Sequence, residues 1–188
     1  MLYSKLLVIG DSLSGPSRAK TTWVTQACEY AKRRYYSHLL PVVYGYSGSS
    51  SFEIAMDAGR ILEGYRARIK EVIFQFGTND AKDEVQTPPE IFYSYVELMK
   101  EWSFGYRAYF LTIPPHAGFG TDGYTASIKP RIYEYNRIIK EVFADHAIDL
   151  SAVNHVTDYA DGIHYTDQGN AKVAQIVVDR LFTERTFK

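Results

Sequence analysis

Four short polar segments of this sequence together hold the kinds of residue that transfer of an acyl group to water requires. The four are Gly10-Asp11-Ser12-Leu13, Ser47-Gly48, Gly77-Thr78-Asn79-Asp80 and Asp161-Gly162-Ile163-His164. This chemistry needs a nucleophile, a base that takes its proton, a group that orients the base, and hydrogen-bond donors for the oxyanion. The segments contain a residue of each kind. Ser12 raises the central question, because the same hydroxyl could instead satisfy N–H groups at the start of a helix.

Each segment lies downstream of an apolar run that predicts a strand, and the strands alternate with helices. The predicted strands cover residues 6–9, 39–44, 72–76, 108–113 and 147–150. Alternation of this kind predicts an α/β fold with a mainly parallel sheet and right-handed crossovers. The carboxyl ends of parallel strands share one edge of the sheet, so we expect the four segments to converge there.

Capping signals predict where the helices begin. A first helix is expected to open at Pro16-Ser17 and to run to about Tyr36. Later helix starts are predicted from the capping box of Ser50 and Glu53, from Thr87 as a cap followed by Pro88, from Pro130, and from Thr166 as a cap. A long loop over residues 114–125 follows the fourth strand and is expected to form one wall of a binding cleft.

In their order along the chain, the four segments resemble the sequence blocks of the SGNH (GDSL) hydrolases, with Gly48 matching the second block. Together they span about four-fifths of the chain. The resemblance implies a flavodoxin-like, three-layer α/β/α sandwich with about five mainly parallel strands, and a single catalytic domain over residues 1–188. It also implies a serine hydrolase that uses no metal and no other cofactor.

The same resemblance assigns roles to individual residues. Ser12 is expected to be the nucleophile, His164 the base, and Asp161 the group that orients the base. The backbone N–H groups of Ser12 and Gly48 and the side-chain amide of Asn79 would form the oxyanion hole. Gly48 has no side chain to block the approach of substrate to its N–H group, and Asn79 offers an uncharged donor.

Other residues near these positions have secondary expected roles. Asp11 and Asp80 each sit beside a proposed catalytic residue, and we expect them to stiffen its loop by accepting backbone hydrogen bonds. Among the remaining histidines, His155 is the main competitor for the role of base. His116, on the long loop, and Tyr165, directly after the proposed base, are candidate substrate contacts.

The reaction that we expect is hydrolysis of carboxylic esters. A short acyl group is favoured because the chain has no long apolar lid, and acetyl esters of carbohydrates are one example. Thioesterase and lysophospholipase activities are alternatives that the resemblance also implies. Outside the enzymes, the alternative is a non-catalytic module that binds carbohydrate or another ligand on the same fold. Phospho-signalling through Asp11 is disfavoured because no lysine follows the last predicted strand, and nucleotide binding because no glycine-rich phosphate loop follows the first.

Composition and charge exclude several other classes. The 188 residues carry a formal net charge of -1, which gives no long-range field for nucleic acid or anionic membranes. No stretch approaches the roughly 20 apolar residues of a membrane span, and the first apolar run is too short for a signal peptide. The sequence thus predicts a cytoplasmic protein, although a secreted chain with its signal peptide removed would look the same. The single cysteine, Cys28, is expected to pack in a helix, and the oligomeric state is not predicted.

Overall fold

Five parallel strands form one sheet in the computed structural model, which describes residues 2–15, 19–115 and 128–186. The strands are β1 (Leu2–Asp11), β2 (Ser37–Tyr46), β3 (Glu71–Gln75), β4 (Arg107–Leu111) and β5 (Ala147–Ile148). Their order across the sheet is β2-β1-β3-β4-β5. The direction of the crossovers therefore reverses next to β1, and open α/β sheets bind their ligands outside the carboxyl ends of the strands at such a point.

Five α-helices flank the sheet in the described ranges, and this arrangement confirms the predicted α/β fold. The helices are α1 (Trp23–Tyr35), α2 (Ser51–Tyr65), α3 (Pro89–Trp102), α4 (Ile128–Phe143) and α5 (Asp167–Thr186). Contacts between α1 and α5 define one layer, and contacts of α3 with both α2 and α4 define the other.

The central strands are buried because helices cover them on both sides. Every residue of β3 is buried, and residues 6–9 of β1 have no exposed surface. Strands covered on two faces read as near-continuous apolar runs, as these two do, rather than as alternating patterns. The edge strand β2 is mostly half-buried or exposed. The buried middle of β1 therefore fixes the position of the backbone that leads to Ser12.

The predicted start of the first helix is wrong. Helix α1 begins at Trp23, after Thr22 as its cap, and the residues just before them are not helical. Pro16-Ser17 lies outside the described residues. The physical reason is a contact across the fold. Thr21 donates its N–H and its hydroxyl to Asp167 Oδ1 at 3.2 and 3.1 Å, which holds this stretch against the start of α5.

Helix α3 also begins later than predicted, because Thr87 is bound elsewhere. The Thr87 hydroxyl donates to Asp80 Oδ1 at 2.9 Å, and Pro88 takes the capping position instead. The predicted capping box of α2 is present, with the N–H of Ser50 donating to Glu53 Oε2 at 2.7 Å. The predicted side-chain cap is therefore absent at α3 and present at α2.

The cap of the last helix is confirmed, whereas two other boundaries move. Thr166 Oγ1 accepts an N–H from the first turn of α5 at 3.2 Å. Helix α4 starts at Ile128, before the predicted Pro130, which lies in its first turn. Strand β5 has two residues rather than the four predicted, because the N–H of Leu150 donates to Thr112 Oγ1 at 2.8 Å and leaves the ladder.

Candidate active site

Ser12 lies directly after β1, where the chain turns sharply, and it is 7% exposed. Two hydrogen bonds hold this turn. The N–H of Ser14 donates to the Asp11 carbonyl at 3.1 Å, and the N–H of Leu13 donates to Asp11 Oδ1 at 2.9 Å. Ser12 does not cap α1, because that helix has its own cap further along the chain. The alternative in which Ser12 merely caps this helix is therefore wrong.

The side chains of Ser12, His164 and Asp161 form a continuous hydrogen-bonded chain. Nε2 of His164 lies 3.0 Å from Ser12 Oγ, and Nδ1 of His164 lies 2.8 Å from Asp161 Oδ2. An ionised carboxylate can only accept hydrogen bonds, so Nδ1 carries a proton, and in the neutral imidazole Nε2 then accepts the hydroxyl of Ser12. The His164 and Asp161 side chains are 20% and 27% exposed. The arrangement can move a proton from Ser12 to His164 while Asp161 stabilises the imidazolium.

A short loop presents Asp161 and His164 together. Tyr159 and Tyr165 pair across its base as an isolated antiparallel bridge, and a backbone N–H donates to the His164 carbonyl at 2.8 Å. Within the loop, Asp161 Oδ1 accepts the N–H groups of Ile163 and His164 at 3.1 and 2.8 Å. The carboxylate therefore organises the backbone with one oxygen and the imidazole with the other.

These hydrogen bonds also keep Asp161 ionised. Partial burial works to raise the pKa of its carboxyl, but the N–H groups of His164 and Ile163 and the His164 ring outweigh burial and lower the pKa to about 2. Asp161 consequently carries its negative charge throughout the neutral pH range, where an imidazolium forming on His164 needs it.

The turns that carry Gly48 and Asn79 leave the sheet beside the turn of Ser12. They follow β2 and β3, which pair with β1 on its two sides, and the last residues of these strands lie level with the end of β1. Gly48 has a φ of +80°, a left-handed conformation that favours glycine. The Asn79 amide is buried and donates to the Ser49 carbonyl at 2.9 Å. This bond joins the two turns to each other.

The hydrogen bonds expected of Asp11 and Asp80 are present. Asp80 Oδ2 accepts the N–H of Ser51 at 2.9 Å, and Oδ1 accepts the hydroxyls of Ser51 and Thr87, so Asp80 ties its turn to the start of α2. Burial raises the pKa of Asp80, against the hydrogen bonds from Ser51 and Thr87. Burial also raises the pKa of Asp11 to about 7, against the hydrogen bond from the Leu13 N–H and with the help of the nearby Asp80 carboxylate.

Tyr165 lies inside the protein rather than at the surface of the site, which corrects the expectation of a direct substrate contact. The residue is 2% exposed, and its hydroxyl oxygen accepts a hydrogen bond from Gln75 Nε2 at 3.2 Å. Gln75 was not among the residues singled out from the sequence. The signal that marks it is a polar side chain at the end of an otherwise apolar strand.

His155 does not join the cluster. Nδ1 of His155 lies 2.8 Å from Thr157 Oγ1 and accepts the Thr157 N–H at 3.3 Å, so His155 caps the short 3-10 helix Val156–Asp158. The imidazole at Ser12 is that of His164. His116 lies outside the described residues.

The described residues hold neither a cluster of metal-ligating side chains nor a helix that could cross a membrane. Within ranges 2–15, 19–115 and 128–186, no group of three or more His, Cys, Asp and Glu side chains is placed to hold a metal ion. No helix in those ranges combines the length and apolarity that crossing a membrane requires. Cys28 is half-buried and packs against the hydrophobic core, as expected of a packing residue.

The sequence matches the model of a known protein family, and the fold matches solved structures. The model of the GDSL-like lipase/acylhydrolase family matches residues 8–172. A lipase/acylhydrolase from Enterococcus faecalis is 21% identical over 95% of each chain, with a TM-score of 0.78. An acetyl xylan esterase from Geobacillus stearothermophilus is 16% identical over 94% of this chain and 93% of that chain, with a TM-score of 0.74. The acetyl xylan esterase AlAXEase is 17% identical over 92% and 97% of the two chains, with a TM-score of 0.71. At these identities the solved structures establish a shared fold, and no curated protein sequence matches the chain.

Proposed function

The chain belongs to the GDSL-like lipase/acylhydrolase family and is an ester hydrolase, and from this premise we propose that it cleaves short-chain carboxylic esters through an acyl-enzyme on Ser12. The observation that carries the proposal is the unbroken set of contacts from Asp161 through His164 to Ser12, at 2.8 and 3.0 Å. Both distances fall within the range that proton transfer between side chains requires.

In the first half of the reaction, Ser12 Oγ attacks the carbonyl carbon of the ester as its proton passes to Nε2 of His164. The imidazolium that forms is stabilised by Asp161, which remains ionised. His164 then returns the proton to the oxygen of the departing alcohol. The C–O bond of the ester breaks, and the acyl group stays on Ser12.

In the second half, a water molecule takes the place of the alcohol. His164 removes a proton from this water as its oxygen attacks the acyl carbon. A tetrahedral intermediate forms on the acyl carbon, as one does after the attack of Ser12 in the first half. Transfer of the proton from His164 to Ser12 Oγ then releases the carboxylic acid. One water is consumed for each ester bond, and the resting protonation of the three side chains is restored.

The oxyanion of both intermediates would be bound by the N–H groups of Ser12 and Gly48 and by the Asn79 amide. One feature supports this role for Asn79, and another supports it for Gly48. A side-chain amide has two N–H donors, of which the bond to the Ser49 carbonyl uses one and orients the other. Gly48 has a left-handed backbone and no side chain, and no atom lies within 4 Å of the position that a Cβ would take, so its N–H group can be approached closely. Such donors act most strongly where charge develops in the transition state.

For the substrate, we favour an acetyl or other short acyl group, carried by a carbohydrate or by another small alcohol. Two of the structurally similar proteins are acetyl xylan esterases, which agrees with this preference. A series of p-nitrophenyl esters from acetate to palmitate would measure acyl length. We expect kcat/KM to be highest for acetate and to fall as the chain grows. A maximum at acyl chains of about ten or more carbons would favour the lysophospholipase alternative. A preference for acyl thioesters would favour the thioesterase alternative.

The nucleophile itself is tested by turnover of p-nitrophenyl acetate. We expect Ser12→Ala to reduce the rate to the background of the uncatalysed reaction, because no other hydroxyl lies within 3.0 Å of His164 Nε2 among the described contacts. Ser94→Ala is the matched control, since Ser94 is an exposed serine on α3 whose hydroxyl donates to the Glu90 carbonyl. The control should turn over ester at the wild-type rate. Equal rates for wild type and Ser12→Ala would contradict the proposal.

A further inference from the structure

A buried amide connects the turn of the proposed nucleophile to the loop of the proposed base. Gln75, the last residue of β3, is 2% exposed. Its Oε1 accepts the hydroxyl of Ser14 at 2.6 Å and the indole N–H of Trp23 at 2.8 Å. Its Nε2 donates to the hydroxyl oxygen of Tyr165 at 3.2 Å. Both lone pairs of the amide oxygen are therefore engaged, and three separate parts of the chain meet at one side chain.

Two of these partners are close neighbours of the proposed catalytic residues. Ser14 comes two residues after Ser12, and its own N–H closes that turn. Tyr165 directly follows His164 and forms part of the base of its loop. The hydrogen bonds from Ser14 to Gln75 and from Gln75 to Tyr165 therefore form a second connection between the Ser12 turn and the His164 loop. The first connection is the 3.0 Å contact between Ser12 and His164, which are 152 positions apart in the sequence.

Packing around the amide leaves it little freedom to move. A Cβ atom at Gly10 would lie 2.4 Å from the Gln75 carbonyl oxygen and 2.6 Å from Ser14 Oγ, so the Ser14 hydroxyl fits only because position 10 is glycine. Trp23 is fully buried at the first turn of α1 and approaches the amide from a third direction. An amide does not ionise, so this junction keeps the same hydrogen bonds at every pH at which the protein is folded.

We propose that Gln75 is a positioning residue of the reaction, which holds the Ser12 turn and the His164 loop at the separation that proton transfer needs. The inference rests on the proposed roles of Ser12 and His164. A misplacement of about 1 Å at the reacting atoms can lower the rate by about 10²-fold. Binding of the ground-state ester does not depend on the distance between Ser12 and His164, so loss of the amide should lower kcat and leave KM nearly unchanged.

The test measures kcat and KM for p-nitrophenyl acetate in Gln75→Met, in Tyr165→Phe and in the double variant. Gln75→Met keeps an unbranched side chain of similar length without the amide, and Tyr165→Phe removes one hydroxyl from an intact ring. We expect Gln75→Met to lower kcat about 10- to 100-fold and Tyr165→Phe about 3- to 10-fold, with KM within about threefold of wild type. In the Gln75→Met background, Tyr165→Phe should cause no further loss, because its partner is already gone.

The matched control is Tyr106→Phe. It also removes one tyrosine hydroxyl, which donates to the Leu62 carbonyl far from the carboxyl ends of the strands. Its kcat should equal that of wild type, even where thermal unfolding shows some loss of stability. Unchanged kcat in Tyr165→Phe would overturn the proposal, and so would an equal loss from Tyr165→Phe in both backgrounds. If Gln75→Met fails to fold, the comparison of Tyr165→Phe with Tyr106→Phe decides the question.

The proposed nucleophile and the proposed positioning residue are distinguished by different outcomes of these experiments. Activity retained in Ser12→Ala would overturn both the role of Ser12 as nucleophile and the positioning role of Gln75. An inactive Ser12→Ala combined with wild-type kcat in Tyr165→Phe leaves the nucleophile in place and overturns the role of Gln75 alone.

Discussion

Replacement of Asp11 by asparagine should change how the stability of the protein depends on pH. Asp11 is completely buried beside Ser12, and burial raises the pKa of its carboxyl from the ordinary 3.8 to about 7 in the folded protein. Between about pH 4 and pH 7 the unfolded chain has released this proton while the folded protein still holds it. The free energy of unfolding therefore falls as pH rises from about 4 to 7. The neutral Asp11 side chain contributes fully to stability only below about pH 4.

The magnitude follows from the pKa. The difference between about 7 and 3.8 corresponds to about 4 kcal/mol, at about 1.4 kcal/mol for each pKa unit. In Asp11→Asn the side chain has the same shape and keeps an oxygen for the Leu13 N–H, but it cannot ionise. We expect the free energy of unfolding of the variant, relative to wild type, to rise by about 2–4 kcal/mol from pH 4 to pH 8.

Urea denaturation at intervals of one pH unit measures this difference directly. The carboxyl groups that do not interact with Asp11 titrate alike in both proteins, so their contributions cancel in the comparison. Asp145→Asn is the control, since it makes the same replacement at an exposed side chain, and its pH profile should follow that of wild type. A difference between Asp11→Asn and wild type that stays constant from pH 4 to pH 8 would refute the reasoning, because it would mean that Asp11 ionises equally in both states.

Three further substitutions test other parts of the account. Asp161→Asn should lower kcat by about 10⁴-fold in steady-state assays, because the amide can donate to Nδ1 of His164 and favour the tautomer in which Nε2 cannot accept a proton. Asn79→Ala should lower kcat by about 10²–10³-fold with KM changed far less, as measured with the same ester, because one oxyanion donor is lost. Gly169→Ala should lower the free energy of unfolding by about 1–3 kcal/mol in urea, because its Cβ would overlap the Asp158 carbonyl oxygen at 2.1 Å. A wild-type value for any of these three variants would contradict the role given to the residue that it replaces.

The parallel sheet and the contact between Asp161 and His164 could be predicted from sequence because each depends on a local pattern. Apolar runs marked the buried strands, and Asp161 reaches His164 within one short loop. Once the sheet is parallel, the turns after β2 and β3 must leave it beside the end of β1. The approach of His164 to Ser12 then requires the family resemblance, since no local pattern reports a contact between the two ends of the chain.

The features that sequence reasoning missed depend on contacts between distant segments. The start of α1 is set by the bonds of Thr21 to Asp167, which lies 146 positions away. Tyr165 was expected at the substrate because it follows His164, whereas its hydroxyl meets Gln75 in the interior. An amphipathic side chain can face either way from such a position. The Tyr165 side chain faces inward because its hydroxyl accepts a hydrogen bond from the buried Gln75 amide. In the described contacts this is the only hydrogen bond that Gln75 Nε2 donates.

Labelling by a fluorophosphonate tests the nucleophile most directly, because the reagent reacts with an activated serine and reports the site of attack. Mass spectrometry of the intact protein and of its peptides should find one adduct per chain, located on Ser12. His164→Ala should abolish or greatly slow the labelling, since the hydroxyl then loses the base that lies 3.0 Å away. An adduct on another residue, or labelling of Ser12 at the wild-type rate in His164→Ala, would contradict the proposed catalytic centre.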